Sequence, residues 1–91
     1  MIRLNCFFQA KPGKYTQALE AAIALVAESQ KQEGCIAYDV FESGTRKDVF
    51  MICETWENQD VLDAHSALAP FQTLVPQITD CGEMKIESFN F

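Results

Sequence analysis

Ninety-one residues, 48% of them hydrophobic and carrying a net charge of −6, are too apolar for a disordered chain and too few for several domains, so residues 1–91 are read as a single domain. Seven scattered lysines and arginines give no basic footprint for nucleic acid or for an anionic membrane surface. No apolar run reaches the length of a bilayer span, and the opening "MIRLNCFFQAKPGK" lacks the regions of a secretory signal, so a soluble, cytoplasmic protein is expected.

In chain order, residues 2–9, "IRLNCFFQ", are rich in strand formers, and Pro12 and Gly13 break that run. From Lys14 to Lys31 the period changes: Tyr15, Ala18, Leu19, Ala22, Leu25 and Val26 recur at helical spacing, and Gly34 follows as a stop signal. Residues 35–42, "CIAYDVFE", and 49–56, "VFMICETW", flank the turn "SGTRKD" and predict a hairpin. Asn58 or Asp60 is placed to cap a second helix, from about Val61 toward Val75, bent or divided at Pro70 and ended at Pro76. "DCGE" reads as a loop and residues 84–91, "MKIESFNF", as the last strand.

The order βαββαβ predicts a ferredoxin-like α+β fold: a four-stranded antiparallel sheet with two helices on one face. The first and third strands are apolar on both sides, with Val49, Met51 and Cys53 opposite Phe50 and Ile52, and Leu4, Cys6 and Phe8 opposite Phe7. Two helices cover only one face, so a second copy of the chain is expected on the other, making a homodimer.

Few residues offer chemistry. Cys6, Cys35, Cys53 and Cys81 have no metal-binding spacing and read as reduced, structural thiols. One histidine cannot make a multi-histidine metal site, there is neither a GxGxxG nor a P-loop, and nothing asks for a flavin. His65 shares a helical stripe with Val61 and Leu68 and so points at the sheet, either as a packed neutral imidazole or as a base. Glu54 and Trp56 have the parity of Phe50 and Ile52. The carboxylate is costly to bury unless paired, and the indole either packs or offers a flat wall to a planar ligand. Tyr38 and Asn5 interrupt apolar strands and need partners if buried. The hairpin register does not follow from the sequence, so whether Tyr38 shares a face with Glu54 stays open.

The stretches "EGCIAYDVFES" and "MICETWENQDVLDAH" resemble the antibiotic biosynthesis monooxygenase family, small dimeric α+β proteins, and most of all its quinol monooxygenase branch. The shared features are "EGC" after the first helix, E-x-W at the end of the third strand, and a histidine nine residues past that tryptophan. The likeness runs through nearly the whole chain, including the "KPGK" turn; it specifies the family better than the reaction. It implies a dimer formed sheet against sheet and a pocket between sheet and helices. It also implies oxygenation of a quinol or similar electron-rich aromatic by dioxygen, with no cofactor, neither metal nor flavin. On this resemblance His65 is the candidate base, with Glu54 and Tyr38 orienting the imidazole or the substrate, while Trp56, Asn5 and Phe71 contact the substrate.

There are departures from the family pattern. Many relatives carry a second histidine where this chain has Phe71 in "APF". Haem-degrading relatives use an Asn, a Trp and a ligand His; here His65 stands at their tryptophan, Val75 stands near their histidine, and only Asn5 matches in type, so haem degradation ranks low. The alternatives to a monooxygenase are an isomerase on the same scaffold and a non-catalytic small-molecule-binding or stress protein.

Overall fold

The computed structural model describes residues 1–91. Its elements are β1 (Ile2–Ala10), α1 (Tyr15–Ser29), β2 (Cys35–Glu42), β3 (Val49–Trp56), α2 (Gln59–Ala67), α3 (Ala69–Thr79) and β4 (Gly82–Asn90). The strands form one antiparallel sheet in the order β2-β3-β1-β4. This is the ferredoxin-like arrangement, with β1 and β3, the two most apolar strands, at its centre.

Register decides which residues meet the helices. Glu54 pairs with Leu4 on β1 and with Tyr38 on β2. Side chains alternate along a strand, so Cys6, Phe8, Tyr38, Phe50, Ile52, Glu54 and Trp56 all face the helical layer, and all are buried. Phe8 and Phe50 stack there with ring centroids 4.8 Å apart. From above, α1 contributes Ala18, Ala21, Ala22, Leu25 and Ser29, one stripe whose alanines let the helix settle close to the sheet.

The helical layer departs from expectation in three places. First, α1 ends at Ser29, so Gly34 is not its cap. Gly34 instead turns the chain into β2 at φ +82°, and Val61 of α2 lies 2.5 Å from where a β-carbon would stand. A side chain there would be strained and would collide. Second, the long second helix is two helices. Asn58 caps α2 by accepting the Val61 N–H at 3.0 Å. The chain then extends at Leu68, and α3 starts afresh with Pro70 in its first turn, where proline's missing N–H costs nothing. Third, Pro76 does not end α3, which continues to Thr79. Both Pro76 and Gln72, whose carbonyl loses its partner, are exposed, so solvent is within reach of the orphaned carbonyl.

The second sheet face is bare of helices. Phe7, Phe41 and Phe89 are 42%, 52% and 48% exposed there, among Arg3, Asn5, Gln9 and Lys85. No helix is long and apolar enough to cross a membrane.

Candidate functional site

A cavity of about 260 Å³ opens between the sheet and the helices. The sheet supplies Leu4, Cys6, Tyr38, Ile52, Glu54, Met84 and Ile86; α1 supplies Leu25, α2 supplies Gln59, Leu62, Asp63 and Ser66, and α3 supplies Phe71, Val75 and Ile78. The wall is mostly apolar. Glu54 is the buried acidic group of the lining, at 5% exposure, while Gln59 and Asp63 are exposed at the mouth.

Three strands hold the Glu54 carboxyl. Trp56 Nε1–H on β3 donates to Oε1 at 2.9 Å, and the Cys6 thiol on β1 donates to Oε2 at 3.8 Å. The Tyr38 hydroxyl on β2 lies beside the same carboxyl, with Ser29 as its other neighbour. Burial raises the Glu54 pKa above the ordinary carboxylate value, and the bonds from Trp56, Tyr38 and Cys6 offset part of that rise. The neighbours respond in kind. Burial, then the Glu54 charge, pushes the Cys6 thiol up to about 12 and raises Tyr38 well above its usual phenol value. Both stay protonated at neutral pH and serve as hydrogen-bond donors. No group of three or more His, Cys, Asp or Glu side chains is arranged to hold a metal ion, and all four cysteines are free thiols.

His65 points to the sheet, as its stripe predicts, and is 1% exposed. It packs on Trp56 with ring centroids 4.5 Å apart, and against Tyr38 at 5.6 Å and Phe71 at 5.2 Å. Its Nδ1 meets Gln32 Oε1 at 2.7 Å, so Nδ1 carries the proton, and Nε2 is left buried with no partner. Burial lowers its pKa from 6.5 to about 4.

Five of the six residues singled out from the sequence therefore gather at one place, in two tiers. Glu54, Tyr38 and Phe71 line the cavity. Trp56 and His65 stand behind them, fully buried and off the wall, so the indole supports Glu54 rather than walling in a ligand. Asn5 is not brought there. It pairs with Cys53 and Glu87 on the opposite sheet face, because its parity is that of Phe7 and not of Cys6. Sequence reading missed two contributors. Cys6 looked like one apolar residue among several, and its parity with Leu4 and Phe8 was the available signal. Gln32 lies in a polar loop after α1, where nothing marks it as the residue that fixes the histidine tautomer.

Comparison with known proteins agrees with this architecture. The family model described as antibiotic biosynthesis monooxygenase matches residues 1–77. The Bacillus subtilis (strain 168) protein named "Putative monooxygenase YcnE" is 33% identical over 75 residues, covering 82% of this chain and 79% of its own. A solved structure from Bacteroides thetaiotaomicron VPI-5482, described as a conserved protein of unknown function and possible oxidoreductase, is 54% identical with a TM-score of 0.96, covering 99% of this chain and 96% of that one. Another, described as an antibiotic biosynthesis monooxygenase, is 25% identical with a TM-score of 0.92, covering 100% and 98%. The chain belongs to the antibiotic biosynthesis monooxygenase family.

Proposed function

We propose that the protein is a cofactor-independent monooxygenase that oxidises a quinol or a similarly electron-rich aromatic with dioxygen, in the cavity over Glu54. The observation that carries this reading is a buried carboxyl of raised pKa on the wall of an apolar cavity large enough for one aromatic ring. Triplet dioxygen reacts slowly with closed-shell molecules, but a quinol that has lost a proton can pass it an electron. One oxygen atom then enters the ring and the other leaves as water, so quinol plus dioxygen gives hydroxyquinone plus water. The protein has to supply a base, a dry pocket and donors for the charge that develops.

Two groups compete for the role of base. The sequence makes His65 the candidate, but its folded pKa of about 4 makes it a weak acceptor, and it is not part of the cavity lining, packing instead against the lining residues Phe71 and Tyr38. Glu54 is on the wall, and burial strengthens it as a base. The proton is therefore assigned to Glu54; once Glu54 holds it, the carboxyl no longer needs the Tyr38 hydroxyl, which turns to donate to the developing oxyanion. His65, held by Gln32 and stacked on Trp56, fixes the indole that orients Glu54. The names of the family and of YcnE support oxygenation. Isomerisation of a phosphorylated sugar would call for cations in the lining, and no lysine or arginine is there. In the same reading a second copy covers the bare sheet face, where Phe7, Phe41 and Phe89 stand exposed.

Oxygen uptake with a panel of hydroquinones in metal-free buffer tests the proposal. Turnover by the wild type, reduced by about 10²–10⁴-fold in Glu54→Gln, is the expected result. No uptake with any of the panel would overturn it.

A further inference from the structure

The cavity mouth carries charge of one sign. Asp63 and Gln59 lie one helical turn apart on α2 at the lining, and Gln59 Nε2–H donates to Asp63 Oδ1 at 2.7 Å, leaving the other carboxylate oxygen without a partner in the chain. Ser66 completes that edge, but its hydroxyl proton is spent on the Leu62 carbonyl at 3.2 Å, so it too presents an acceptor. Glu54 waits inside. The cavity lining holds no lysine or arginine, and between Lys47 and Lys85 the sequence has none, so the fixed charges of α2 and α3 are all acidic. The cavity is thus an apolar box with hydrogen-bond acceptors at its floor and mouth.

From this arrangement we infer that Asp63 is a specificity-determining residue, and that the cavity accepts aromatic hydroxyl compounds whose substituents are neutral or cationic while rejecting those bearing a carboxylate or phosphate. The inference rests on the reading of the cavity as a substrate site. A ring with a donor at each end satisfies acceptors at both positions. An anionic substituent would meet Asp63 at the mouth, or Glu54 within, with no cation to offset either. An ammonium substituent would gain what the carboxylate loses. Like-charge repulsion across a partly dry opening is worth an order of magnitude or more in affinity, and salt weakens it because the mouth is wet.

Three hydroquinones that differ only in one substituent, methyl, aminoethyl or carboxymethyl, form the test. Their binding is measured anaerobically by calorimetry, so that it is read without turnover, and oxygen uptake is followed separately. The carboxymethyl compound should bind at least about ten-fold more weakly than the methyl compound, and the aminoethyl compound at least as tightly as the methyl one. Asp63→Asn keeps an acceptor for Gln59 and should narrow the span. Asp63→Lys should bring the carboxymethyl compound level with the methyl one or past it. Equal binding of all three by the wild type, or a ranking unmoved by Asp63→Lys, would overturn the inference. Oxygen uptake without charge ranking would sink this inference alone. Charge-ranked binding without uptake would sink the monooxygenase reading and leave this one standing. Binding of none of the three would overturn both.

Discussion

Glu54 is a carboxyl group that the fold keeps in an expensive place. Its cost is offset by three donors, one from each of the strands β1, β2 and β3, and the residue behind it, Trp56, is itself clamped by His65. In the proposed reading His65 is a positioning group, and its titration bears on stability. Its folded pKa of about 4 lies below the 6.5 of an unperturbed imidazole, so between those values the unfolded chain binds the proton more readily. The stability it contributes is whole above about pH 6.5 and is lost as the pH falls toward 4, a span worth roughly 3 kcal/mol. Glu54 runs the other way. Its raised value means the folded state holds the proton more tightly, so its contribution is full below 4.5 and is lost as the pH rises through the folded value. Acidification from about pH 7 to about pH 5 therefore sets a destabilising contribution from His65 against a stabilising one from Glu54, and the His65 part is isolated by comparing variants. In His65→Gln the melting temperature should fall less on acidification, or rise more, than in the wild type, with turnover per folded molecule reduced far less than in Glu54→Gln. A thermal melt series and oxygen uptake on the two variants check this, and an acid slope unchanged in His65→Gln would contradict it. The cluster was half legible in the sequence. Glu54, Trp56 and His65 stand out by parity, stripe and rarity, but burial depth is a three-dimensional quantity, so the order of the tiers, with the carboxyl in front and the imidazole behind, was not.

The elements obey local rules where those rules are strong and depart where solvent intervenes. The hairpin strands fall on the residues that alternation and the "SGTRKD" turn predict, 35–42 and 49–56, because two turn-bounded apolar runs leave little freedom. Pro76 misled because a proline stops a helix only if its orphaned carbonyl partner has no alternative, and Gln72 faces water. Pro76→Ala should therefore restore one hydrogen bond and raise stability by about 1–2 kcal/mol, less than the full cost of an interior proline because the unfolded chain gains freedom. That is a rise of several degrees in melting temperature for a domain of this size. At the other end of the helical layer, Asn58→Ala should cost about 1 kcal/mol by leaving the Val61 N–H uncapped. Gly34→Ala should cost more, since positive φ and the Val61 side chain oppose it together. Urea titrations of the three variants give the order directly. An Asn58→Ala loss larger than that of Gly34→Ala would go against this account of the α1–β2 turn.

At the scale of the molecule, one sheet serves two surfaces. Even-numbered positions of β1 and β3 build the core and the cavity, and odd-numbered positions present Phe7, Met51 and Cys53 to the bare face. That division was readable from strands apolar on both sides. Asn5, which the resemblance put against the substrate, has the parity of Phe7 and so stands on the bare face. Sedimentation at micromolar concentration should give the mass of two chains, and Phe7→Lys with Phe41→Lys, placing charges on that face, should shift it toward one. A single-chain mass for the wild type would remove the second copy from the account. The central claim, that this cavity inserts oxygen into an aromatic substrate without a cofactor, is met most directly by isotope. With isotopically labelled dioxygen, metal-free protein and a neutral hydroquinone, mass spectrometry should find one labelled oxygen atom in each molecule of quinone product, formed much more slowly by Glu54→Gln. Product that carries no label, or label incorporated as fast by Glu54→Gln as by the wild type, would contradict the account.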